Sequence, residues 1–174
     1  MFTTSVSFSL TGMKAALLLS ILLLPVVIYG QNRYDIVIDE LMIDPSPPVG
    51  LPANEWIELK NIGAIPINLQ NWRIADASGQ SGPMPSFILQ PDSFVIVCAL
   101  AAGTPMSAFG TCISVSGFPS LDNDADELFL KTSGGMIMHA VSYTGNWYRS
   151  ELKKEGGWTL EMIDTHNPCS GSSN

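Results

Sequence analysis

The amino-acid sequence predicts an all-β domain, a sandwich of about nine short strands, and three observations carry that expectation. Beyond residue 30 the chain has almost no helical periodicity. Its apolar residues fall instead in short alternating runs. Gly, Pro, Asn, Asp and Ser separate those runs at intervals of about 8 to 12 positions, the spacing of a sandwich or barrel.

The first segment reads differently. In MKAALLLSILLLPVVIYGQ a single positive charge, Lys14, precedes an apolar run from Ala15 to Tyr29 and the small residue Gly30. This is the order of charge, apolar core and small residue in a secretory signal peptide. Met13 is a natural start for such a segment, with residues 1–12 preceding it. The run is shorter than the ~20 residues of a spanning helix and contains Pro25, so no membrane span is expected in the mature chain. No Cys follows it closely, which argues against a lipid anchor. The expected domain is residues 31–169, followed by a polar tail, 170–174, that reads as a truncated domain exit. Export places the protein outside the cell, in the periplasm or at the cell surface.

The strands follow in order. DIVIDELMI (35–43) alternates Ile36, Ile38, Leu41 and Ile43, with a slip near Glu40 that predicts a bulge. DPSPPVGLPAN is a loop stiffened by four prolines, none of which suits a central strand. EWIELKN puts Trp56, Glu58 and Lys60 on one face, with Glu55 and Glu58 expected on an exposed edge. INLQNWRIAD supplies Ile67, Leu69, Trp72 and Ile74. Further runs are SFIL (86–89), SFVIVCAL (93–100), ISV (113–115), ELFLK (127–131), MIMHAVSY (136–143) and WTLEMI (158–163). TSGG between two of them predicts a tight hairpin. AAGTPMSAFG (101–110) would hold one short helix crossing between sheets. His139, within its strand, would point outward.

Composition excludes several function classes. The chain carries 8 Lys and Arg against 16 Asp and Glu, net -8; without residues 1–30 it loses only Lys14 and reaches -9. An acidic surface repels nucleic-acid phosphates, and no basic, aromatic-interleaved stripe is present. The mature chain has the length of one ordinary domain.

The segments DELMIDPSPPVGLPANEWIELKN, INLQNWRIAD, FILQPDSFVIVC, SGFPSLDNDADELFLK and VSYTGNWY resemble, in order and spacing, the lamin-tail domain in the form found in exported bacterial proteins. They span about residues 35–148, and GGWTLEMIDTHNPC extends the likeness. The resemblance implies an immunoglobulin-like sandwich with a structural signature at Asn68, Leu69 and Trp72, the Trp packing between sheets. It also implies no common catalytic apparatus and a role in interaction or attachment.

Candidate chemistry was weighed residue by residue. Asp122, Asp124 and Asp126 alternate as the start of a calcium loop would, but Glu127 and Ser133 stand where the helix-loop-helix calcium motif needs Gly and Glu. They are therefore either a calcium loop of another geometry, with no other cofactor expected, or a solvated turn. Glu40, Asp44, Glu55 and Glu58 could gather at one end of the sandwich as hydrolytic carboxylates, or Glu58 could pair with Lys60 or Arg73. Trp147 and Tyr148 are the aromatic pair for carbohydrate stacking, core packing being the plainer reading. Cys98 and Cys112 could meet across neighbouring strands as a disulfide or as small buried hydrophobes; Cys169 is left over. No nucleophile elbow or zinc spacing occurs. The function expected is that of a non-catalytic secreted or cell-surface module binding a protein or surface component. The rivals are a calcium-binding or accessory domain of an extracellular hydrolase and a carbohydrate-binding module.

Overall fold

A computed structural model describes residues 32–174. The expected signal peptide, residues 1–30, lies outside the described residues. Ten strands form an immunoglobulin-like sandwich: β1 (Ile36–Asp44), β2 (Trp56–Asn61), β3 (Ile67–Asn68), β4 (Arg73–Ala75), β5 (Ile88–Leu89), β6 (Phe94–Ala99), β7 (Cys112–Val115), β8 (Ala125–Lys131), β9 (Ile137–Thr144) and β10 (Trp158–Glu161). The larger sheet has the order β10-β1-β2-β6-β7; a second contains β4-β8-β9, and β3 and β5 pair separately.

Period-two alternation decides what each sheet buries. Ile36, Ile38, Leu41 and Ile43 of β1, Ile57 and Leu59 of β2, Val95 and Val97 of β6, and Ile113 and Val115 of β7 face one core. Leu128 and Leu130 of β8 and Met138 and Tyr143 of β9 meet them from the other sheet. Trp72, Leu69 and Ile74 fill the space between, and Trp72 is 2% exposed. Asn68 stays at the surface, where its Oδ1 accepts from Gln70 N at 3.0 Å and Phe87 N at 3.2 Å. That cap holds the turn from which Leu69 and Trp72 dip inward, and Asn71 takes the left-handed conformation (φ 65°) that Asn tolerates. The run expected as one strand, 67–76, is thereby split into β3 and β4.

Two polar features fix the ends of the sandwich. Asn61, fully buried at the end of β2, donates through Nδ2 to Ile65 O and Leu89 O, each at 2.9 Å, and accepts from Gly63 N. Three buried backbone groups thus find their partners in one side chain. Before β10, Gly156 (φ +102°) passes so close to the proline loop that a Cβ there would lie 2.1 Å from Ser46 O.

The bulge expected near Glu40 is present: Ile38 pairs with Leu59 and Glu40 with Glu58, leaving Asp39 as the extra residue. Thr132–Gly135 closes the β8-β9 hairpin, Gly135 adopting φ 82°. A second register shift corrects the expectation for His139. Leu130 pairs with His139 and Lys131 with Ile137, so Met138 is an extra residue and both Met138 and His139 turn inward. His139 is 1% exposed, and its Nδ1 accepts from Ile38 N at 2.9 Å.

The segment after β6 also departs from expectation. It is helical over Leu100–Ala102 and Gly103–Met106, but it connects β6 to β7, which are parallel neighbours in the same sheet. A parallel connection needs a crossover of about a dozen residues, and this segment supplies it. Its Ala102 and Met106 cover the outer side of the sheet over Met42, Trp56, Ile96 and Cys98 as a second small core. In the polar tail, Asn174 Nδ2 donates to Asp164 O and Asn167 O.

Candidate functional site

The side chains of β1, β2 and β10 that face away from the main core create an acidic row. Glu40 pairs across the ladder with Glu58 on one side and Glu161 on the other. Paired residues point to the same face at close range, so three glutamates stand side by side in the order Glu161-Glu40-Glu58. Asp39, pushed out of register by the bulge, is 7% exposed, and its Oδ1 has no hydrogen-bond partner. Its surroundings in charge are Lys60, Glu161 and Glu40, which places it with the same group.

Among the described residues no cation forms an ion pair with these acids: the ion pairs are Lys154–Glu151 and His166–Asp164, and Lys60 offsets Glu58 and Asp39 from a greater distance. The expected partners of Glu58 are engaged elsewhere. Lys60 Nζ sits 4.7 Å above the ring of Phe94, and Arg73, in the other sheet, donates to Ser81 O. Burial, followed by the charges of Glu40, Asp39 and Glu161, lifts Glu58 from its ordinary 4.5 to about 7. Burial raises Asp39 and Glu40 as well, with Glu161 contributing to both.

The expectation that Glu55 and Glu58 form an exposed edge is corrected here. Glu58 lies on the middle strand of five and Glu55 just before it, and both side chains are half-buried. Nor do the four acids of the sequence reading gather at one end. Glu55 instead receives Leu121 N at 3.1 Å and ties the loop before β8 to the start of β2. Asp44 Oδ1 accepts from Ser46 N in the proline loop.

Beside the acids runs a groove of about 320 Å³ lined by Glu58, Phe94, Ile96, Phe109, Thr111 and Glu161. The helical segment covers the Trp56 end of this face and stops short of the other. Phe94 is therefore left 43% exposed and Phe109 52% exposed. The result is a groove of mixed lining, in which Phe94, Ile96 and Phe109 stand beside Glu58, Thr111 and Glu161.

A second cavity of about 180 Å³ opens between β1 and β9. His139, Trp147, Arg149, Leu160 and Pro168 are among its lining. Burial holds His139 below its ordinary value, hence neutral. Its Nδ1 is committed to Ile38 N, so Nε2 carries the proton and faces Pro168 O at 3.5 Å. Trp147, half-buried, packs against the main core. Tyr148 is buried and donates to Trp158 O at 2.8 Å, which removes it from any exposed stacking platform.

The remaining sequence candidates stand apart from both places. Asp122 and Asp124 are exposed, and Asp126 Oδ1 accepts from the adjacent Glu127 N within β8. Among the described residues no three His, Cys, Asp or Glu are arranged to hold a metal ion. Asp122 and Asp124 stand in the turn before β8 and Asp126 on the strand itself. Cys98 and Cys112 do meet, with Sγ atoms 3.3 Å apart, as free thiols. Burial, and then the Cys112 thiol, push Cys98 up to about 12, far from the thiolate a nucleophile needs.

Sequence reasoning named Glu40 and Glu58 but missed Asp39, Glu161, Phe94 and Phe109. The one available signal was the slip in the β1 alternation, which makes room for Asp39 beside Glu40. The pairing of β1 with β10 is a contact across more than a hundred residues and leaves no local trace.

A family model described as Lamin Tail Domain matches residues 30–145, which take in β1 through β9. Glu161 and the Trp147 region lie beyond the matched span. No curated protein matches the sequence. Among the described residues no helix is long and apolar enough to cross a membrane.

Proposed function

The chain belongs to the lamin tail domain family, and from that premise we propose that it is a non-catalytic secreted or cell-surface module that attaches to a protein partner. The family is one of immunoglobulin-like domains without an enzymatic activity. The observation that carries the proposal is the uncovered half of the outer sheet face, where a groove with two exposed phenylalanines adjoins carboxylates that form no ion pair. Apolar surface rimmed by polar groups is the pattern of a protein-binding patch. The signal-like segment at residues 13–30 supports export.

Three measurements test this reading. The first is fractionation of cells expressing the full chain, with export expected and retention in the cytoplasm counting against the secreted assignment. The second places a photo-crosslinking amino acid at Phe109 or, as a control on the β8-β9 hairpin, at Met136. Discrete protein adducts from position 109 and not from 136 are expected on the surface of the native cells. Adducts from both sites alike, or none from position 109, would defeat the attachment role of this face. A panel of glycosidase and esterase substrates completes the test, since turnover of any of them would refute the non-catalytic assignment.

A further inference from the structure

Building on the proposed protein-attachment role, we infer that the partner is basic: an extended segment that lays an arginine or lysine side chain into the groove, its aliphatic stem on Ile96, Phe94 and Phe109 and its cationic head among Glu58, Glu40 and Glu161.

Like charges directly opposite one another on neighbouring strands destabilise a sheet. Here the arrangement occurs twice in one row, Glu161 beside Glu40 and Glu40 beside Glu58. Asp39 adds a fourth carboxylate that is nine-tenths buried and has a wholly unpartnered Oδ1. A polar atom in that condition costs stability unless something answers it. Lys60, the nearest cation on the same face, lies over Phe94 and makes no ion pair with any of the four. The face is thus built with an excess of negative charge that Lys60, and the Thr159 side chain bonded to Glu40, offset only in part.

The shape of the site selects the cation. Among the described residues no three acids are arranged to hold a metal ion, which disfavours a small, strongly hydrated divalent ion. Arginine and lysine differ from a metal in carrying an apolar stem, which packs along hydrophobic surface while the head stays with polar partners. The groove offers both halves: Ile96 as floor, Phe94 and Phe109 as walls, and carboxylates at the rim. Aromatic faces add favourable contact with an organic cation, as Lys60 already shows over Phe94. A guanidinium can further take a carboxylate with two parallel hydrogen bonds, so arginine is the better fit.

The test is calorimetric titration of the full chain with a capped peptide of alternating arginine and glycine, against the same peptide with citrulline for arginine. Saturable binding of the arginine peptide alone is expected. Affinity should fall at least about tenfold in Glu58→Gln and in Glu40→Gln, and about threefold in Phe109→Ala, on the scale of lost charge-assisted and apolar contacts. Glu151→Gln, which removes one acid elsewhere, should change it less than about twofold, as a peripheral charge does. Equal losses in Glu151→Gln and Glu58→Gln would reduce the binding to general acidity and overturn the proposal. Calcium binding lost in the same Glu variants, with no peptide bound, would make the site a metal site instead. Failure of the peptide with crosslinks from position 109 intact would sink the basic partner and leave attachment standing; failure of both would remove both.

Discussion

Replacing Glu58 with Gln keeps the size and hydrogen-bonding outline of the side chain and removes its charge. The structure places Glu58 half-buried beside Glu40, with Asp39 and Glu161 close enough to contribute and Lys60 only partly offsetting them. Together these raise its carboxyl from 4.5 to about 7. The folded state therefore holds the proton more tightly than the unfolded chain. Below the unfolded value both states are protonated and the site costs nothing. As pH rises from about 4.5 to about 7 the unfolded chain ionises first, and stability falls through that window. Taken at face value the gap corresponds to about 3.4 kcal/mol, at about 1.4 kcal/mol per decade. Solvent screening of a half-exposed carboxylate reduces it to about 1 kcal/mol. Glu58→Gln should accordingly match the parent chain near pH 4 and be more stable by about 1 kcal/mol near pH 8, raising the melting temperature by about 3 °C for a domain of this size. Paired thermal melts across that range provide the assay. An equal difference at both ends of the range, or a loss of stability near pH 8, would refute the electrostatic account of this face. The variant is also expected to lose the arginine peptide, so that stability and binding move in opposite directions, as they do at sites kept for function.

Other perturbations probe the frame. Trp72→Ala empties the centre of the sandwich, where the ring is 2% exposed, and should cost about 3–5 kcal/mol in denaturant unfolding. Asn61→Ala leaves the carbonyls of Ile65 and Leu89 and the amide of Gly63 without their partner; a loss of about 2–3 kcal/mol is expected, and one below about 0.5 kcal/mol would mean that water replaces the amide. Thiol labelling of the folded protein with iodoacetamide should modify exposed Cys169 quickly and leave Cys98 unmodified until the chain is unfolded, because burial and Cys112 hold its thiol protonated.

Fold and site were legible to different degrees. The alternation of Ile36, Ile38, Leu41 and Ile43 and the TSGG hairpin express rules that act over a few residues, and the structure follows them, whereas the turn after Asn68 interrupts a run that reads as one strand. Where a bulge intervenes, the same rules lose their footing. His139 stands at a position that strict alternation sends outward, and one extra residue in β9 turns it in.

The acidic face illustrates the wider division. Local pattern placed Glu58 and Lys60 on one side of a strand and Ile57 and Leu59 on the other, because side chains alternate whatever the strand pairs with. Whether that side would be an edge or a covered middle depended on strand order, which is set by contacts between distant segments. Only the tertiary structure brought β10 to the far side of β1, placing Glu161 in line with Glu40 and Glu58. Only the crossover from β6 to β7 decided which half of the outer face is roofed by Met106 and which is left open beside Phe109. The sequence by itself determined an acidic, all-β chain and the inward face of most strands, because charge and period-two burial are local properties. The groove and its carboxylates are sums over strands far apart in the chain, and folding alone brings their terms together.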